Sequence, residues 1–328
     1  MYERFDYLEI EGRKRRAAPQ PAAVQPAPVY GRRARLRVVE ILGSFGHEGG
    51  QFNTPGGIAV DRQCAVYVCD SYNHRVQKIT PDGEVLIFGQ MGAGRGCLLN
   101  PQGIAVDAML FVHVVEQGNH RVQKFDPEGC SVMIVGGPGS TPGRFNSPTG
   151  VAVDSYQNVC VVDTGNARVQ CLTPDGHYRS TISGRGVLRG GTSAGPGSAG
   201  GLRRPRGIAI DGEGCIYVSD LADDRIFKFD SSGKPLAVFG SDEATVSAQS
   251  QPAGLAVDQW GCLFIAEMGN HRLQRVSPAG KVLQSFTGVR TAAGKLSSPG
   301  AVAVSANGDI WLADTSNHRV LRLRLDAV

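Results

Sequence analysis

A proline-headed apolar strand is written six times along this chain, each time with the same two strands behind it. The first copy runs Pro55-Gly56-Gly57-Ile58-Ala59-Val60-Asp61, continues through Val66-Tyr67-Val68-Cys69-Asp70, and closes on Asn73-His74-Arg75-Val76-Gln77-Lys78-Ile79. The others begin at Pro101, Pro148, Pro205, Pro252 and Pro299, at separations of 46, 47, 57, 47 and 47 residues. A unit of this length cannot bury its own apolar face and stacks with its copies into a propeller or solenoid.

Each complete repeat reads as four strands, a to d. The third is followed by a turn such as Thr80-Pro81-Asp82-Gly83 and then by a strand ending near Phe88-Gly89 or Phe239-Gly240. The sixth repeat stops after its third strand, around Leu321–Leu325, while Leu36–Gly46 is a fourth strand with no first three. The two ends complete one blade, which leaves no sheet edge open at the join. The expected fold is all-β, a six-bladed β-propeller of four-stranded antiparallel blades, its ring closed by the N-terminal strand 36–46 joining the last blade. Small residues such as Gly57, Gly103 and Gly207 fit a crowded position beside the central axis.

Before the propeller, 36–328, residues 1–35 read as a flexible arm, with Arg13–Arg16 as a basic cluster and a Pro/Ala-rich stretch after it. Up to residue 37 there are nine basic residues against four acidic; the remainder is nearly balanced, although the whole chain carries +4. The body is therefore no polycation, and attraction to an anionic surface must come from the arm or a local patch. The eight cysteines show no CxxC spacing. Cys64, Cys160, Cys215 and Cys262 recur in phase with a strand, as small buried hydrophobes in a reducing compartment do. Without a signal-length apolar run or a membrane-spanning segment, an intracellular, cytoplasmic location is expected, with a nuclear one open through Arg13–Arg16.

These residues resemble the NHL repeat, whose signature matches Asn73-His74-Arg75, Asn119-His120-Arg121, Asn270-His271-Arg272 and Asn317-His318-Arg319; the third and fourth copies depart, with Asn166-Ala167-Arg168 and Asp223-Asp224-Arg225. An acid stands five residues before the arginine in every copy: Asp70 and Arg75, Glu116 and Arg121, Asp163 and Arg168, Asp220 and Arg225, Glu267 and Arg272, Asp314 and Arg319. Six such pairs spanning one hairpin predict a structural ion pair, not six active sites. His74, His120, His271 and His318 fall on separate blades, so each is expected to hydrogen-bond locally, with no metal and no cofactor.

Alternation of strands puts the d-to-a loops and the b-to-c turns on one face. The d-to-a loops hold Arg95, Arg144, Arg185, Arg189, Arg203, Arg204, Arg290 and Lys295, a predicted basic face, while the opposite turns are rich in aspartate of turn type. NHL propellers of the tripartite-motif and related proteins, which this chain resembles, bind protein or RNA on that face. The resemblance thus implies a noncatalytic interaction module, a monomeric propeller with protein partners and no membrane contact, serving as the recognition part of a ubiquitin-ligase system. RNA binding by the arginines is the alternative. A remote third reading is a zinc-dependent lyase-like propeller, which the missing signal peptide disfavours. On the leading reading the chain is not an enzyme and has no catalytic residues.

Overall fold

The computed structural model describes residues 34–183, 201–240, 251–287, 289–291 and 294–327. They form six four-stranded antiparallel sheets in a ring, as the repeat predicted. In blade 1 the strands are Pro55–Val60, Val66–Asp70, Arg75–Ile79 and Val85–Phe88, from the axis outward. In blade 6 the inner three are Ala301–Val304, Ile310–Asp314 and Arg319–Ala327, and the outer one is Ala34–Leu42 from the other end of the chain. That closing strand ends four residues earlier than the expected 36–46, because Gly43 turns the chain at a φ of 84°. The arm lies outside the described residues apart from its last two, Ala34 and Arg35, which already belong to the closing strand.

Buried apolar side chains gather in six clusters among the described residues, one at each seam between neighbouring blades. Phe52 and Phe145 are fully buried plugs in two of these seams and offer no ring to a ligand. The inner strands meet around the axis at backbone distance. A Cβ on Gly57 would lie 2.5 Å from the carbonyl oxygen of Gln102, and one on Gly103 would lie 2.5 Å from that of Thr149. Glycine is required there by close approach, and any side chain would push the ring open.

On strands b and c the repeat places an aromatic ring or imidazole opposite a cation: Tyr67 faces Lys78, His113 faces Lys124, Tyr217 faces Lys228, Phe264 faces Arg275 and Trp311 faces Arg322. Cations lie over rings in four of these pairs, at 5.0 to 5.8 Å from the centroid. In blade 3 both positions are cysteine, and Cys160 and Cys171 form a disulfide. This corrects the reading of Cys160 as a simple buried hydrophobe. Phase with the strand located the residue, but its cross-strand neighbour is visible only once register is known. No helix of the described residues is long and apolar enough to cross a membrane.

Candidate functional site

The hairpin acids are all fully buried. Five of the six hold their arginine: Asp70–Arg75 at 2.8 Å, Glu116–Arg121 at 2.5 Å, Asp163–Arg168 at 2.7 Å, Glu267–Arg272 at 2.6 Å and Asp314–Arg319 at 2.7 Å. The signature asparagine joins them, as in Asn73 Nδ2 donating to Asp70 at 2.9 Å. Glu267 shows the cost of burial, which pushes its carboxyl above the usual value despite Arg272 and Asn270. Blade 4 breaks the pattern. Asp223 stands where the asparagine should, cannot donate to Asp220, and pairs with Arg203 at 2.9 Å. Asp220 is filled instead by the backbone N–H groups of Arg203, Arg204 and Ala222, so the expected Asp220–Arg225 pair does not form.

The signature histidines are clasps between blades. Nδ1 of His74 accepts the N–H of Asn100 at 3.0 Å, His120 that of Ser147 at 2.8 Å, His271 that of Ser298 at 2.8 Å, and His318 that of Thr54 at 3.0 Å. Each accepted N–H belongs to the residue before a repeat proline, held at a φ between 46° and 58°. The clasp stabilises a left-handed backbone that non-glycine residues otherwise avoid. Asp224 Oδ1 substitutes between blades 4 and 5, taking the N–H of Gln251 at 2.9 Å. Ala167 has nothing to offer, so the seam between blades 3 and 4 lacks a clasp. Among the described residues no group of three or more His, Cys, Asp or Glu side chains is placed to hold a metal.

The basic loop residues are dispersed. Arg95 donates to the carbonyls of Ser131 and Val132, and Arg144 to that of Gly136, so both brace backbone. Arg203 is bound to Asp223, and Lys295 stands exposed in a short hairpin with Arg290. Arg185 and Arg189 lie outside the described residues, as does the side chain of Arg290.

What the loops share with the axis is the residue after each repeat proline. Gly56, Gln102, Thr149, Arg206, Ala253 and Gly300 ring one end of an axial channel of about 260 Å³. Strand a starts at this end and runs away from it, so the ring lies on the face of the d-to-a loops. Gln102 is engaged with Asn100 at 2.8 Å, and Thr149 Oγ1 bonds Thr164 Oγ1 and the carbonyl of Arg206, both at 2.8 Å. The guanidinium of Arg206 has no hydrogen-bond or ion-pair partner among the described residues. Burial, and then the like charge of Arg204, hold its pKa below the ordinary arginine value. Arg206 is absent from the sequence-based candidates. Its signal is nonetheless present there, as the single charge among the six residues that follow a repeat proline.

The NHL repeat family model matches at residues 52–79, 145–172 and 296–323, within blades 1, 3 and 6. With the six-bladed ring, this decides the family. The chain is an NHL-repeat propeller. No curated protein sequence matches it at a significant level. The NHL-repeat propeller superposes on a streptogramin B lyase with a TM-score of 0.60 and 14% identity, over 89% of this chain and 98% of that one. A gluconolactonase from Xanthomonas campestris gives 0.62 and 17%, over 89% and 90%. The PQQ-bound aldose sugar dehydrogenase from Streptomyces coelicolor gives 0.56 and 17%, over 92% and 100%. At these identities the likeness is one of fold.

These matches correct two expectations, that this NHL-repeat propeller is a noncatalytic interaction module and that it is not an enzyme. The propellers it superposes on are named as enzymes, so this architecture gives no ground for setting catalysis aside. The physical reason lies in how the repeat works. Its constant residues build hairpins and seams, and their structural role says nothing about the variable residues around the axis.

Proposed function

We propose that this propeller acts on a small anionic molecule bound at the axial mouth, with Arg206 as the residue that holds the anion. The observation carrying this reading is the Arg206 guanidinium, without a partner among the described residues, in a channel otherwise lined by neutral residues. A part-buried guanidinium with no counter-ion among the described residues is met by a carboxylate or phosphate that fits its planar fork. Gln102, which spends one amide hydrogen on Asn100, has a second to offer on the same ring. The enzyme names of the superposed propellers, a lyase, a gluconolactonase and a sugar dehydrogenase, support a small molecule as the occupant.

The test is calorimetric titration of the full chain with inorganic phosphate and with succinate, in low and high salt. Saturable binding of at least one is expected, weakening about tenfold to a hundredfold in Arg206→Ala, the worth of one charged hydrogen-bonding partner. Equal binding by the wild type and Arg206→Ala sinks the reading.

A further inference from the structure

A second cavity, of about 250 Å³, opens at the seam where the two ends of the chain meet. Its origin is a missing contact. In blades 2 to 5 the glycine of the c-to-d turn packs on the outer strand of the preceding blade. A Cβ on Gly129 would meet Phe88 at 2.8 Å, one on Gly176 would meet Val135 at 2.5 Å, one on Gly233 would meet Ile182 at 2.8 Å, and one on Gly280 would strike Phe239. A Cβ on the corresponding Gly83 of blade 1 would meet nothing within 4 Å. The residue that should fill the gap is Leu42. It precedes Gly43 as Phe88 precedes Gly89, and each of these glycines sits against the seam plug, Phe52 or Leu98. Leucine is shorter than phenylalanine, and blade 6 takes this strand from the far end of the chain. The cavity along the seam between blades 3 and 4 is much smaller, about 20 Å³.

One wall is apolar, formed by Leu42, Val66, Ile79, Pro81 and Val85. The polar end holds Asp309, Arg322 and Glu40. Asp309 is fully engaged, by Arg322 at 2.6 Å and Arg324 at 2.6 Å. Glu40 is not, since its ion pair is a 3.6 Å approach of Arg322 and its carboxylate is half exposed. We infer that this closure pocket binds a flat, neutral, largely apolar molecule that carries one hydrogen-bond donor, with its ring on the Leu42–Ile79 wall and its donor on the Glu40 carboxylate. The site is independent of Arg206.

Equilibrium dialysis of the full chain against indole tests this. One saturable site is expected. Leu42→Phe, which installs the side chain that blade 1 has at this point, should weaken binding at least about tenfold by filling the void. Glu40→Gln, on the exposed strand, should weaken it about fivefold to tenfold, and 1-methylindole, lacking the N–H, should bind the wild type correspondingly less well. Arg206→Ala should bind indole as the wild type does, which separates this site from the axial one. Non-saturating uptake overturns the inference, as does saturable binding that either Leu42→Phe or Glu40→Gln leaves unaltered.

Discussion

Blades 1, 2, 5 and 6 and the sector formed by blades 3 and 4 share one repeat, yet they use it differently. In the first group every blade has its buried acid–arginine pair, a signature histidine clasping the next blade, and an aromatic ring or imidazole across from a cation. Blades 3 and 4 give up these features one by one. Blade 3 has a disulfide for the ring and cation and Ala167 for the clasp; in blade 4 neither Arg225 nor Arg206 has an ion-pair partner among the described residues. The single long interval between repeats also falls between these two blades. These departures gather in one sector, beside Arg206, the one charged residue lining the axial channel among the described residues.

The comparison is broken or sharpened most strongly at the hairpin pairs. Asp163→Ala leaves Arg168 and Asn166 without their buried acceptor and should cost about 3–5 kcal/mol in denaturant unfolding. Arg225→Ala, with no ion pair among the described residues to break, should cost under about 1 kcal/mol. Equal losses at the two positions would erase the distinction between blade 4 and its neighbours.

The disulfide comes next. Cys160 and Cys171 are 11 residues apart, and reduction should lower stability by about 2–3 kcal/mol. Comparing unfolding midpoints with and without reductant, with Cys160→Ser as control, reads this out. A smaller effect follows at the clasps. His120→Ala orphans the Ser147 N–H and should cost about 1–3 kcal/mol. Ala167→His, at the seam that lacks a clasp, should gain less than about 0.5 kcal/mol, because the Arg204 N–H it would reach is already bound to Asp220. A clear gain there would show that the seam is merely unfinished.

The smallest effect carries the opposite sign. Arg206→Met removes a part-buried cation that has no ion-pair partner among the described residues, and should raise stability by up to about 1 kcal/mol while abolishing anion binding. Thermal unfolding with and without phosphate measures both. Lower stability in Arg206→Met would mean that the guanidinium serves the fold.

Most of the scaffold was legible in the sequence because a repeat encodes nearest-neighbour relations inside its own period. Pro55, Gly57, Asp70 and Arg75 recur with their spacing, and that spacing sets blade number, hairpin pairing and the split blade at the closure. Even the outlying triplets, Asn166-Ala167-Arg168 and Asp223-Asp224-Arg225, can be read off as exceptions. What they do could not be. The clasp from His318 to Thr54 spans 264 residues, and Arg203 reaches Asp223 only because Asp220 has turned to backbone N–H groups. Arg206 comes to line the axial channel, and Leu42 leaves a void, only when six copies are bent into a closed ring. Closure brings residues from different repeats onto one axis and the two chain ends into one seam. Distances of that kind depend on the curvature of the whole ring, which no single period contains.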